Sequence, residues 1–516
     1  MMAILIFVFL SIYVMLFSSD GYKILVVYPM PAVSHKILGD GVVRPLLKSG
    51  HEVTYITPFE YKNPPPNLRQ IDVSDNSKLI PRMYILYKTI HKMTSADRAD
   101  LIDIMRSIAI ATLENRNVLN LLKDPTEQFD VVIAEWMLVS LMSGLAALFG
   151  CPLIWMSPVE VHSGIISLID AAPNPAYTTD FLSMKIPPFT FIERVEELWR
   201  RITERFEDYA YFDDLEEYEY YRLIVPLILK RGRLPYSYEE VKYNISLVLS
   251  ISQVSNGLAI SLPQNYKPLG GYYINEEIEP LNELKLKMES NKNGIIYFSM
   301  GTNLDSKDFP KDIRTTLLKL FGGLKQSVIW KFEEEIPKLP ANVHVLNWAP
   351  QMSILSHPNC VLFITHGGLL SIIETIYTGV PIIGIPVYGD QFSNIKRAVN
   401  EGYALEVNLS HSLADDLKVA IRKMIHDSRV KELSSIYHDR MIKPADKLVH
   451  WVQHVVRTRG APHLRSLALQ VPLYQRLYLD LAALVAVFVM FLVALLRMLC
   501  AAMCSKKKID VKKKNK

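Results

Sequence analysis

Short apolar runs recur along the chain with little alternation of polar and apolar positions inside them. YKILVVYP (22–29), HEVTYITP (51–58), FDVVIA (129–134), CPLIWMSP (151–158), CVLFIT (360–365) and GVPIIGIP (379–386) are of this kind. Uninterrupted Leu, Ile and Val predict strands buried on both faces. Stretches with helical spacing separate the runs, and Gly50, Gly150 and Gly379 stand where those helices should stop. Strand, helix, glycine, strand, repeated, predicts parallel sheets covered by helices. Two such sheets are expected, over 22–265 and 291–430, joined by a linker at 266–290 and followed by a helical return at 431–476. The fold class is α/β, with two Rossmann-like domains facing a cleft. Ligands of such sheets bind at the carboxyl ends of the strands, so that cleft is the expected site. A helical insertion near 190–232, rich in Glu, Tyr and Arg, is expected to carry a solvated amphipathic face, with docking on a membrane or acceptor as the alternative.

The two ends add a membrane to the picture. Residues 1–20 have the apolar build of a signal peptide, without Lys or Arg at the start. Leu481–Cys504 is apolar except for Arg497, and seven lysines follow it. A transmembrane helix over 479–504 with a cytosolic tail at 505–516 is predicted, leaving the body in the secretory lumen as a single-pass type I protein. The closing KKKNK puts Lys513 and Lys514 in the dilysine retrieval position, which points to the endoplasmic reticulum membrane. The net charge of +4 rests on that tail, so the body is near neutral and nucleic acid is excluded as an expected partner. Of four cysteines, Cys500 and Cys504 fall in the span, and Cys151 and Cys360 open strands as buried free thiols. No Cys/His cluster has zinc spacing. Asn244 and Asn408 begin N-x-S sequons and are glycosylation candidates.

THGGLLSIIE (365–374) follows the run CVLFI. A helix starting near Gly367 would aim its free N–H groups and positive dipole end at an anion. Gly367 and Gly368 would let a phosphate approach, His366 would hydrogen-bond it, and Glu374, two turns on, would hold vicinal hydroxyls. By itself a glycine-rich turn is a weak signal. The surroundings strengthen it: NWAPQMSILSHPNC lies upstream and GVPIIGIPVYGDQ downstream.

From Trp348 to Gln391 the sequence closely resembles the donor-binding signature of the UDP-glycosyltransferase family, nearest its membrane-bound animal branch and the insect-type enzymes. The resemblance extends more loosely through YPMPAVSH, GHEVTYITP, YFSMGTN and the terminal anchor. It implies a two-domain GT-B glycosyltransferase fold whose C-terminal domain holds a UDP-sugar, a co-substrate rather than a cofactor. On that resemblance Trp348 stacks on uracil and Gln351 contacts the nucleoside. Glu374 holds the ribose, while Thr365 and His366 face the diphosphate. Ser299, Gly301 and Thr302 border the phosphates, and Asp390 and Gln391 bind the transferred sugar. Where many relatives have an asparagine facing the phosphates this chain has Leu370, with Ser371 as a substitute.

The resemblance also makes His35, on a loop after the first strand, the catalytic base. Its partner would be Glu135, where relatives commonly have aspartate. A single displacement on an alpha-linked donor would invert the anomeric centre. No D-x-D sequence occurs, so no metal is expected, and the helix N-terminus and His366 would take its electrostatic role. The partners implied are a UDP-sugar, a small lipophilic acceptor and the membrane, with homo- or hetero-association left open. Relatives that use glucuronic acid place an arginine before the linker; Ala259 stands there, with Lys267 as the nearest shifted cation, which favours glucose. A catalytically silent UDP-sugar-binding subunit and a transferase for lipid-linked glycans are the alternatives.

Overall fold

The computed structural model describes residues 21–79, 98–180, 182–253, 259–275, 279–281, 283–302, 309–425 and 427–514. The signal-peptide reading of 1–20 lies outside these residues.

Among the described residues thirteen strands form two all-parallel sheets. The first comprises β1 (Lys23–Val27), β2 (Glu52–Thr57), β3 (Leu68–Asp72), β4 (Val131–Glu135), β5 (Leu153–Ser157), β6 (Leu247–Ser250) and β7 (Tyr266–Pro268). The second comprises β8 (Ile295–Ser299), β9 (Ser327–Lys331), β10 (Val343–Leu346), β11 (Cys360–Thr365), β12 (Ile382–Gly384) and β13 (Ala404–Glu406). Their orders are 3-2-1-4-5-6-7 and 10-9-8-11-12-13. In each, chain order reverses beside the first strand, leaving a crevice between β1 and β4 and another between β8 and β11.

The unalternating strands are explained by what lies on either side. Along β1, Ile24 and Val26 enter one core while Leu25 and Val27 enter another, all at 0% exposure. Along β8, Ile295 and Tyr297 join the first of these cores, and Ile296 and Phe298 join a third. Both faces of these central strands are therefore dry. One core runs from beneath the first sheet to beneath the second, through Tyr272, Tyr273 and Met288 of the connecting segment.

That connection is more structured than a linker: Tyr266–Pro268 is the edge strand of the first sheet, and Glu283–Ser290 is a helix. The helix Pro444–Arg457 returns to pack against helix Val33–Lys48 of the first sheet, where the Gln453 amide lies 3.1 Å from His51 Nε2. Cys151 and Cys360 are free, and burial pushes both thiols up to about 12.

The 190–232 insertion departs from expectation. Helix Phe191–Glu207 turns its charged face inward, pairing Arg200 with Glu197 and Glu204 at 2.7 Å, and leaves its apolar face outward. Residues 466–514 form a separate unit, dominated by the helix Leu479–Lys514. Its segment Leu479–Ala502 is long and apolar enough to cross a membrane, with a mean hydropathy of 2.8.

Candidate active site

The carboxyl ends of both sheets open into one cavity of about 2000 Å³. His35 lies on its first-sheet side. It belongs to the first turn of helix Val33–Lys48 rather than to a loop, because the chain turns helical six residues after β1 ends. Glu135 is the last residue of β4, across the crevice from β1, and is 5% exposed. His35 Nδ1 and Glu135 Oε1 are 2.5 Å apart. The longer side chain of glutamate thus spans the gap. Burial disfavours a charged imidazole here, but the charge and hydrogen bond of Glu135, with help from Asp390, outweigh it and raise the His35 pKa above its ordinary value. With Nδ1–H donated to Glu135, the lone pair is on Nε2. The second oxygen of Glu135 has no hydrogen-bond partner among the described residues.

On the second-sheet side, β11 ends at Thr365 and helix Leu369–Thr378 starts after Gly368, two residues later than the sequence suggests, with no side chain capping it. Thr365 departs from its expected role. It is wholly buried, and its hydroxyl accepts the Gly367 amide at 3.3 Å, so it shapes the turn instead of facing the cavity. Gly367 has φ +84°, and a Cβ there would lie 2.4 Å from Ile395 Cγ1. His366 is held between two glycines: a Cβ on Gly301 would come within 2.5 Å of its ring and one on Gly368 within 2.7 Å. The glycines of this turn make room for protein as well as for any ligand. Burial and Lys331 lower the His366 pKa to about 4, so near neutral pH it is an uncharged imidazole that can donate one hydrogen bond.

Glu374 faces Gln351, whose Nε2 donates to Glu374 Oε2 at 2.5 Å and to Ser371 Oγ at 3.2 Å. Tyr297 donates to the Gln351 oxygen at 3.3 Å. Ser371 therefore belongs to this polar network. Burial pushes the Glu374 carboxyl up to about 7, against the Gln351 hydrogen bond. Trp348 presents a 56% exposed indole on the same wall. Ser299 Oγ accepts the Gly301 amide at 3.3 Å, and Ser299, Gly301 and Thr302 all line the cavity. Asp390 and Gln391 sit at the start of helix Gln391–Asn400, also on the lining. Asp390 accepts from Asn394 at 2.8 Å, and burial raises its pKa. The Gln391 oxygen accepts the amides of Val387 and Tyr388 at 2.9 and 3.1 Å, fixing the loop before it.

Lys331 and Tyr297 are cavity residues that the sequence reading missed. Both lie on strands, and Lys331 is the carboxyl end of β9, the position where ligand-facing groups of such sheets collect. On the first-sheet side the lining mixes apolar side chains, Met30, Met105, Met137 and Met184 among them, with charged ones such as Asp100 and Asp103. Among the described residues three lysine or arginine side chains line the cavity, and each has a partner: Lys36 with Asp40 at 2.5 Å, Arg44 with the Tyr273 carbonyl at 2.8 Å and Lys331 with Glu333 at 2.7 Å. Ala259 is exposed and off the lining, and Lys267 lies 4.1 Å over the Trp451 ring instead. Asn244 and Asn408 are exposed, Asn408 on the cavity rim. Among the described residues no three His, Cys, Asp or Glu side chains could together hold a metal ion.

A family model described as "UDP-glucoronosyl and UDP-glucosyl transferase" matches residues 23–515. UDP-glucosyltransferase 2 of Dactylopius coccus is 28% identical over 497 residues, covering 95% of each chain. Human UDP-glucuronosyltransferase 2A3 is 36% identical over 228 residues, 42% of this chain and 43% of its own. Among solved structures, the glycotransferase of kitacinnamycin superposes with a TM-score of 0.55 at 16% identity, covering 84% of this chain and 99% of its own. The calicheamicin glycosyltransferase gives 0.53 at 16% identity, covering 85% and 99%. At such identity the likeness is one of fold, two facing Rossmann-type sheets.

Proposed function

The chain belongs to the UDP-glucuronosyl and UDP-glucosyl transferase family, a UDP-glycosyltransferase that moves sugar from a UDP-sugar, and from that premise we propose an inverting, metal-independent transfer of glucose to a small lipophilic hydroxyl. The observation that carries the proposal is the His35–Glu135 pair on one sheet, facing Trp348, Gln351, Glu374 and His366 of the other across one cavity.

Uracil stacks on Trp348, and its ribose bonds the Gln351–Glu374 pair. The diphosphate lies against the uncapped helix N-terminus at Gly368 and the neutral N–H of His366. Asp390 and Gln391 hold the sugar hydroxyls. The acceptor enters among the methionines, whose adaptable thioethers suit varied apolar shapes. Its hydroxyl gives a proton to His35 Nε2 as the oxygen bonds to the anomeric carbon. The bond from that carbon to phosphate breaks, and UDP leaves with the electron pair. Glu135 stabilises the imidazolium that forms. The apolar segment Leu479–Ala502 anchors the body to the endoplasmic reticulum membrane, with the catalytic domains luminal.

Glucose is favoured because, among the described residues, every lysine and arginine on the lining already has a partner, so a glucuronate carboxylate would be buried without a free one. Competition between UDP-glucose and UDP-glucuronic acid at equal concentration, with a phenolic acceptor, tests this. The glucoside is expected to form faster; faster glucuronide formation rejects the donor assignment.

Glu135→Gln is expected to slow transfer by roughly tenfold, less than loss of His35 itself. It also shifts the pH profile in a defined direction. His35 must be neutral to accept a proton, so kcat/KM falls as pH drops through its pKa. Glu135 is what raises that pKa, and burial alone would lower it. The acid limb of the variant therefore moves to lower pH. An unchanged rate and an unmoved limb would make Glu135 a bystander.

A further inference from the structure

We propose that helix Phe191–Glu207 is an in-plane membrane-docking element that seats its outward apolar face in a lipid bilayer. At 100° per residue, Phe191, Ile192, Val195, Leu198, Trp199, Ile202 and Phe206 fall on one arc of the helix, and Tyr209 continues it beyond the end. An amphipathic helix on a water-soluble body normally buries such an arc. Here the arc faces outward: Phe191 is 72%, Trp199 66%, Phe206 70% and Tyr209 73% exposed. The opposite, charged face is the one that packs. Glu197 is 1% exposed, its carboxylate joined to Arg200 and to the Ser183 hydroxyl at 2.8 Å. Lys185 pairs with Glu196 at 2.8 Å, and Arg201 donates to the carbonyls of Pro173 and Thr178.

The helix is thus fixed to the body by its polar side, and turning it over would break that set of ion pairs. A capping box at Thr190, which accepts the Glu193 amide at 3.3 Å while Glu193 Oε2 accepts the Thr190 amide at 2.8 Å, fixes where it begins. The outward face is a designed surface of the fold. A contiguous apolar patch of this kind marks a binding surface.

Two features choose lipid as its occupant. The chain carries a segment able to span a bilayer, Leu479–Ala502, reached from the body through the short stretch 466–478, so a membrane is always within covalent reach. The arc also has the make-up of an interfacial helix: aliphatic and Phe side chains to insert, Trp199 and Tyr209 to sit at headgroup depth, and exposed Arg194 and Arg205 along one edge to meet phosphates. Leu182 and Met184, on the segment leading into the helix, line the cavity, so seating the helix brings that lip of the cavity to the lipid surface. The docking itself does not depend on which acceptor is used.

The test uses the full chain, one copy per phosphatidylcholine nanodisc, with and without brominated acyl chains. Trp199 emission is isolated as the difference between wild type and Trp199→Phe, a substitution that keeps the face apolar. Bromine is expected to quench most of that difference. Undiminished Trp199 emission overturns the proposal. So does Trp199 emission that responds to protein concentration in detergent but not to brominated lipid, which would assign the face to a second copy of the chain. Circular dichroism and UDP binding of Trp199→Phe confirm that the comparison is between folded proteins.

Discussion

His35→Ala is expected to lower sugar transfer by on the order of a hundredfold or more while UDP binds nearly as tightly as to wild type. The separation follows from where the groups lie. His35 belongs to a helix of the first sheet, and Trp348, Gln351, Glu374 and His366 belong to the second. The variant also loses stability, because Glu135 is left buried without the hydrogen-bond partner it has among the described residues. His35→Gln removes that complication: its amide can still donate to Glu135, but it has no basic nitrogen. Both variants should therefore fail in turnover, with His35→Gln the more stable of the two. Titration of UDP by calorimetry beside a steady-state assay separates a lost base from a lost fold. Near-normal turnover in either variant would end the assignment of His35 as the base.

How far the sequence led can be judged element by element. The central strands were legible because both of their faces are dry, so the apolar run itself is the signal: Ile24 to Val27 and Ile295 to Phe298 alternate between two cores, not between core and water. The edge strand Leu68–Asp72 lacks that signal, since one of its five residues is buried. Helix Phe191–Glu207 shows a limit of periodicity. The period fixes a face, but which face turns inward depends on partners outside the helix, here Lys185, Asp180 and the carbonyls at 173 and 178 in the segment before it.

The site was legible mainly through the resemblance. Contact between His35 and Glu135, 100 positions apart in number, follows from β1 and β4 being neighbours at the crevice, which no local spacing reveals. Ser371 and Thr365 show the cost of reading roles from position alone. One hydroxyl accepts from Gln351, and the other is spent on the turn. The departure at Glu135, which kept a catalytically silent reading open, coincides with a side chain that reaches its histidine.

Gly301→Ala is expected to weaken UDP binding by roughly tenfold or more, and the reason is the histidine beside it. Gly301 has φ +81°, a conformation L side chains rarely adopt, so alanine is strained there before any contact is counted. A Cβ would then lie 2.5 Å from His366 Cε1 and 2.7 Å from Nε2. The Cβ position of Gly368 lies against the same Nε2–Cε1 edge, 2.7 Å from Nε2, so protein already crowds the ring there and alanine at 301 must push it aside. His366 lines the cavity where the diphosphate is proposed to lie, so a shift of the ring is felt at that position. A displaced His366 would lose its hydrogen bond to the phosphate and obstruct the uncapped helix N-terminus together. Calorimetric UDP titration of Gly301→Ala, His366→Ala and the double variant resolves the two contributions as a double-mutant cycle. If the wedge acts through the ring, Gly301→Ala costs much less in the His366→Ala background, where only backbone strain remains. Fully additive losses would show that Gly301 serves the donor by its own backbone, and the account of His366 as the transmitting group would fall.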